Sequence, residues 1–227
     1  MTVAALFVDP RPGGAYVGIP GVEVWGARRC PERPEDVRPD ERDARLYAGP
    51  HPVVAHSPCA RWGRYWSGNP LQPGRFKLGD DGGCFAAALA ALYRWHGVLE
   101  HPEASHAWRH FGLAPPHRWG GWTVAGWTPA GELVWTCCVE QGHYGHRARK
   151  ATWLLMVGAE PPQLIWGPSK ADPTLRIDEG YHSTDERRRK HRRSSPAGRL
   201  GPRERAATPP AFRDVLLAIA RSAGRSS

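Results

Sequence analysis

Residues 84–102 read CFAAALAALYRWHGVLEHP, a helix that runs straight into a strand. Ala and Leu fill Cys84–Trp95 at helical spacing, Gly97 stops the helix, and Val98-Leu99 begin a short apolar run. Parallel strands need a long crossover between them, so a helix returning to a strand is the unit that builds parallel sheets. Outward from this unit, Val3–Val8, Val22–Trp25 and Pro52–Ala55 are apolar runs ending in turn signals, as buried parallel strands do. Ala151–Val157 (ATWLLMV) is a further strand. The expected class is α/β, with an open and mostly parallel sheet.

The remaining segments are less regular. Residues 31–42 (PERPEDVRPDER) form a polar, Pro-broken connection. Residues 108–135 carry Trp108, Trp119, Trp122, Trp127 and Trp135 amid Gly and Pro, and read as loops with a hairpin around Pro129-Ala130-Gly131. Residues 159–207 are rich in Pro, Gly and Arg and are expected to be irregular. Pro209-Pro210 then open an amphipathic closing helix over Ala211–Ser222, marked by Phe212, Val215, Leu216 and Ile219. The organisation expected is a core over 1–158, a basic Pro/Gly/Arg-rich region over 159–207, and a closing segment, 208–227, packed back on the core.

Composition narrows the class. The 227 residues include 31 Lys and Arg against 22 Asp and Glu, a formal charge of +9. No run approaches the roughly 20 apolar residues of a bilayer span, and Met1–Phe7 has no basic flank, so neither a membrane protein nor a signal peptide is expected. The charge gathers late: residues 172–227 hold 13 Arg and Lys against 7 Asp and Glu. Its centre is Arg187, Arg188, Arg189, Lys190, Arg192 and Arg193, a run suited to a polyanion because such clusters neutralise phosphates and release counterions. A solvated basic linker is the alternative. Five cysteines, two of them adjacent at Cys137-Cys138, do not resemble a disulfide framework, which points to a reducing cytoplasm. No zinc-ligand spacing occurs, so no metal is expected.

Three local signals carry chemistry. Val53-Val54-Ala55-His56-Ser57-Pro58-Cys59 delivers Cys59 to the carboxyl edge of the sheet, where open α/β folds bind ligands. A Gly- and Trp-rich loop follows, with Arg61, Trp62, Arg64, Tyr65 and Trp66 beside the cysteine. Cys59 there is a candidate nucleophile, although a free cysteine is more often buried and inert. Gly97-Val98-Leu99-Glu100-His101-Pro102 ends another strand with Glu100 facing the same crevice. Desolvation is expected to raise its pKa so that it can donate a proton; a helix-capping role is the alternative. Finally, Gln141 and then Arg147-Ala148-Arg149 lead into ATWLLMV, with one arginine expected at the substrate crevice and the other at a phosphate or a loop carboxylate; surface arginines at a strand start are the alternative.

Pro-Cys at one strand end, Glu-x-Pro at the next and Arg-x-Arg entering a strand, in this order, resemble the DNA cytosine-5 methyltransferases. The resemblance implies a Rossmann-like methyltransferase core, DNA as partner and S-adenosylmethionine as donor. It implies that Cys59 attacks C6 of a flipped cytosine, Glu100 serves N3, and Arg147 and Arg149 support them. Phe7, Gly13 and Gly14, then Trp25, follow the rhythm of the family's donor-binding segment, with Asp43 near the adenine and Ser57-Pro58 beside it. Arg61, Trp62, Arg64, Tyr65 and Trp66 are then expected against DNA, together with the basic run at 187–193, and Thr208–Ala220 is like the family's closing helix. Arg28-Arg29 stand where the family has an acidic residue for the ribose hydroxyls. Two alternatives follow: the same fold with a different, non-methyl donor, and a non-catalytic DNA-binding relative.

Overall fold

The computed structural model describes residues 1–26, 42–68, 74–177 and 198–224. Its centre is one seven-stranded mixed sheet in the order β2-β1-β3-β4-β7-β6-β5. The strands are β1 (Val3–Leu6), β2 (Val22–Trp25), β3 (Val53–Ala55), β4 (Gly97–Pro102), β5 (Thr123–Trp127), β6 (Leu133–Glu140) and β7 (Ala151–Val157). The helices are α1 (Cys84–Trp95), α2 (Ala107–His110), α3 (Pro202–Ala206) and α4 (Pro210–Ala223), with short 3-10 turns at Ala44–Leu46 and Gln141–Tyr144.

The sheet has two halves. Strands β2, β1, β3 and β4 run parallel. Beyond β4 every pairing is antiparallel: β4 with β7, β7 with β6, and β6 with β5. The expectation of a mostly parallel sheet therefore holds for the first half alone. The ten residues linking β6 to β7 contain a 3-10 turn and no crossover helix, so those two strands can only pair antiparallel. The hairpin expected around Pro129-Ala130-Gly131 is present and joins β5 to β6, closed by Thr128 N–H to the Glu132 carbonyl at 2.8 Å. Residues 133–140, of which 133–135 fall in the region expected as loop and hairpin, form the longest of these strands.

Side-chain alternation assigns each helix its face. Ala4, Leu6, Val53, Ala55 and Leu99 point to α1 and pack with Phe85, Ala88, Leu89 and Leu92. Val3, Ala5, Val54 and Val98 point the other way, onto Phe212, Leu216, Leu217, Ile219 and Ala220 of α4. The result is three layers, helix–sheet–helix. Helix α1 begins at Gly83, and the buried Asp81 satisfies its orphan donors: Oδ2 accepts from Phe85 N at 2.8 Å and from the Trp62 indole Nε1 at 2.7 Å, and Oδ1 accepts from Gly83 N at 3.0 Å. Gly97, directly after α1, has φ +119, and a Cβ there would lie 2.0 Å from the Val53 carbonyl oxygen. Only glycine allows β4 to approach β3 this closely.

Among the described residues, no helix is long and apolar enough to cross a membrane.

Candidate active site

Four chain segments converge at one edge of the sheet. The register Ala55↔Leu99 sets the residues after β3 beside the end of β4. The register Glu100↔Leu154 and Pro102↔Thr152 brings in the start of β7, and Glu140↔Ala151 brings in the end of β6. Parity then decides which side chains meet. Glu100 follows Val98 onto the α4 face, as do His56 after Val54 and Thr152 before Leu154.

These side chains form one hydrogen-bonded chain. The hydroxyl of Tyr16, buried beneath α4, lies 2.7 Å from His56 Nε2. His56 Nδ1 lies 2.9 Å from Glu100 Oε2. On the other side of the carboxylate, Gln141 Nε2 donates to Glu100 Oε1 at 3.2 Å and to Thr152 Oγ1 at 2.8 Å, and Thr152 Oγ1 donates to Glu100 Oε1 at 3.3 Å. Burial alone would raise the Glu100 pKa. The His56 hydrogen bond and charge, with Lys150 and His101 beyond, outweigh it and bring the pKa down to about 2. This corrects the expected direction: Glu100 is buried, but it is held ionised by the donors around it.

His101, next along β4, turns to the opposite face between Phe85 and Trp108. Burial holds its pKa down to about 4, against the opposing pull of Glu100, so it stays neutral. Cys59 keeps contact with solvent at the mouth of the site. The protein packed around its thiol, and then the Glu100 charge, push its pKa up, with Lys150 opposing. Burial in turn lowers the Lys150 ammonium, whose charge bears on both Glu100 and Cys59. Lys150 is fixed by backbone contacts: its N–H donates to the Ala148 carbonyl at 2.8 Å, its carbonyl accepts from Gln141 N at 2.9 Å, and its Nζ donates to the Ala207 carbonyl at 3.0 Å.

The arrangement brings Cys59 and Glu100 together, and it does not add the arginines. Arg147 and Arg149 are both exposed, on either side of the buried Ala148, and Arg147 pairs with Glu204 at 2.7 Å. The cation beside the crevice is Lys150. Trp62 is also displaced from its expected role: it is buried, bound to Asp81, and packed edge-on against His110. It supports the loop and has no face to offer a base. Arg61 stacks on Phe76 at 3.4 Å and is half-buried, Trp66 is half-buried, and Arg64 and Tyr65 are exposed beyond Cys59. The basic run at 187–193, like Arg28-Arg29, lies outside the described residues.

The expected donor site fits S-adenosylmethionine poorly. Phe7 is buried at the end of β1 with φ +59. The turn after it closes on itself: Asp9 holds Arg11, Gly14 N–H donates to the Arg11 carbonyl at 2.9 Å, and a Cβ on Gly14 would meet the Asp9 carbonyl oxygen at 2.1 Å. Gly13, one residue earlier, has φ +88 and is exposed. Trp25 packs edge-on against Tyr47. Asp43 is committed to Arg45, whose Nη2 is 2.6 Å away and whose Nε and backbone N also donate to it. Ser57 Oγ is buried and has no hydrogen-bond partner among the described residues, beside the half-buried Pro58. The carboxylates at this edge are thus taken by arginines, and backbone fills the turn.

No family model and no curated protein matches this chain. Among the described residues, no three His, Cys, Asp or Glu side chains gather as a metal site.

Sequence reasoning assigned no role at this site to His56, Tyr16, Thr152 or Lys150, and quoted Gln141 only as the start of the Arg-x-Arg signal. The first was in plain view within His56-Ser57-Pro58-Cys59: a polar residue directly after an apolar strand, two positions from Val54, points to the same face as Val54. The others depend on register.

Proposed function

We propose that the protein modifies cytosine in DNA through a covalent bond between Cys59 Sγ and C6 of the base. One observation carries this reading: a solvent-accessible cysteine follows β3, and an ionised carboxylate stands on the adjacent β4, close enough that its charge raises the pKa of the cysteine. Cytosine C5 is a poor nucleophile until a thiolate adds at C6. That addition drives charge onto the ring, and a proton at N3 accommodates it. Glu100 is the group at hand for N3. Lys150 favours the thiolate form of Cys59 as the substrate displaces water. A duplex base reaches such a site only by leaving the stack, and Arg64 and Tyr65 lie exposed on the loop beyond Cys59 to meet the displaced strand. The family resemblance, with its order of Pro-Cys, Glu-x-Pro and Arg-x-Arg, supports the same chemistry.

The test is a duplex containing 5-fluorocytosine, which traps the adduct once a donor group has been transferred, read on a denaturing gel with S-adenosylmethionine and, in parallel, with anionic donors. The wild type is expected to give a slow-migrating protein–DNA species, and Cys59→Ser to give none. A wild type that forms no such species under any donor, and shows no exchange at C5, ends the proposal.

A second reading concerns the donor. Asp43 and Asp9 are occupied by arginines, which suits an anionic donor better than a sulfonium cation and gives a non-methyl modification at C5. Calorimetry discriminates: micromolar binding of S-adenosylmethionine removes this second reading.

A further inference from the structure

Resting on the covalent reading above, we propose that His56 is a positioning residue that supplies, through Glu100, the proton needed at N3 of the base, with the Tyr16 hydroxyl balancing the ring on its far side. The geometry is a continuous line: Tyr16 Oη, His56 Nε2, His56 Nδ1, Glu100 Oε2, at 2.7 and 2.9 Å. Glu100 already accepts from Gln141 and Thr152 on Oε1, so its carboxylate is anchored and cannot swing away from the ring. An anchored carboxylate held ionised is a poor reservoir for a proton, whereas an imidazole bonded to it is a good one.

The step balances. In its protonated form, the ring donates Nδ1–H to Glu100 and Nε2–H to the Tyr16 oxygen. As Cys59 adds to C6, N3 gains one proton and the imidazolium loses one, and Glu100 is a carboxylate before and after. The proton that leaves is the one on Nδ1: it passes to Glu100 and on to N3, so the neutral ring keeps its hydrogen on Nε2 and goes on donating to the Tyr16 oxygen. Tyr16 accepts in both states, and no tyrosinate forms. Burial and the Glu100 charge keep the Tyr16 pKa far above its ordinary value, which bars it from losing its own proton.

The groups bearing on this line are the neutral His101 on β4, Lys150 and Thr152 at the start of β7, Gln141 after β6, Cys59 after β3, and Arg213 and Asp214 from α4 facing Tyr16. Among these, His56 is the member that contacts both Glu100 and Tyr16, one through each ring nitrogen.

The experiment is donor-independent: release of tritium from duplex DNA carrying 5-tritiated cytosine, which requires reversible addition at C6. The wild-type rate is expected to fall about tenfold per pH unit above the His56 titration midpoint, located separately by NMR on ¹⁵N-histidine-labelled protein. His56→Gln keeps an amide donor toward Glu100 but cannot ionise; its rate is expected to be roughly 100-fold lower and flat with pH, with DNA binding retained. Tyr16→Phe removes the acceptor of a charge-assisted bond and is expected to move the limb to lower pH by half a unit or more, which serves if His56→Gln does not fold. A His56→Gln enzyme with the wild-type rate and slope, or a Tyr16→Phe limb that does not move, overturns the relay and leaves the covalent reading standing. A wild type that exchanges no tritium and traps no adduct overturns both.

Discussion

Glu100→Gln tests the electrostatic description of the site through stability rather than activity. The carboxylate is drawn from its ordinary value of 4.5 to about 2. At 1.36 kcal/mol per unit, that difference corresponds to about 3 kcal/mol of folding stability. A carboxylate with a depressed folded pKa contributes fully above its unfolded value and loses that contribution as pH falls through the folded value. The window is therefore from about pH 5 down to about pH 2. Glutamine presents one oxygen and one NH₂ where His56, Gln141 and Thr152 all act as donors, so one of them faces another donor. Urea unfolding at pH 7, 5, 3 and 2 measures the wild-type-minus-variant difference. It should be about 3 kcal/mol at pH 7 and shrink by about that amount by pH 2. Taking the difference cancels acid-sensitive groups remote from the site, such as Asp43; His101 is coupled to Glu100 and is subtracted only in part. That ring, held down to about 4, removes stability from both proteins as pH falls from its unfolded value of 6.5 toward 4. A difference that changes by less than about 1 kcal/mol from pH 7 to pH 2 refutes the claim that the donors, rather than burial, rule Glu100.

Two further predictions concern the scaffold. Asp81→Ala strips partners from the Trp62 indole and from two backbone N–H groups at the start of α1 and should cost about 3 kcal/mol in chemical denaturation; a loss under 1 kcal/mol would mean that water replaces the carboxylate. Gly97→Ala puts a Cβ 2.0 Å from the Val53 carbonyl at positive φ and should cost more than about 3 kcal/mol, or abolish soluble expression. Wild-type stability in that variant would mean that β3 and β4 are not in this register.

Much of the frame was legible because it rests on local pattern. Strands β1, β2, β3 and β7, helix α1 and the closing helix are each a run of apolar residues with clear stops. Strand β6 escaped because Thr136–Glu140 are buried one after another, which erases the alternation that marks a strand, and because tryptophans and glycines on either side resembled loop. The antiparallel insertion of β7 beside β4 was invisible for another reason: strand order is decided by what packs across the sheet. The same limit governed the site. Cys59 and Glu100 announce themselves at strand ends. The partners that set their charge, Thr152, Gln141 and Tyr16, are named only once the register is known. Trp62 was misread because a tryptophan in a Gly-rich loop looks available, and only the buried Asp81 shows that it is anchored.

Helix α4 has a consequence for how the chain reaches this state. Val3 and Ala5 on β1 are sealed by Phe212 and Leu216, residues some two hundred positions later in the chain. Arg213 Nη1 ties α4 to the Ala15 carbonyl at 3.1 Å. On the ribosome, β1 emerges long before α4, and one of its faces is not dry until α4 follows. Contacts so distant in sequence are slow to form, and until they do a parallel sheet shows an apolar face to its surroundings. Truncation just before α4 should therefore yield a chain that aggregates during synthesis rather than a smaller working core.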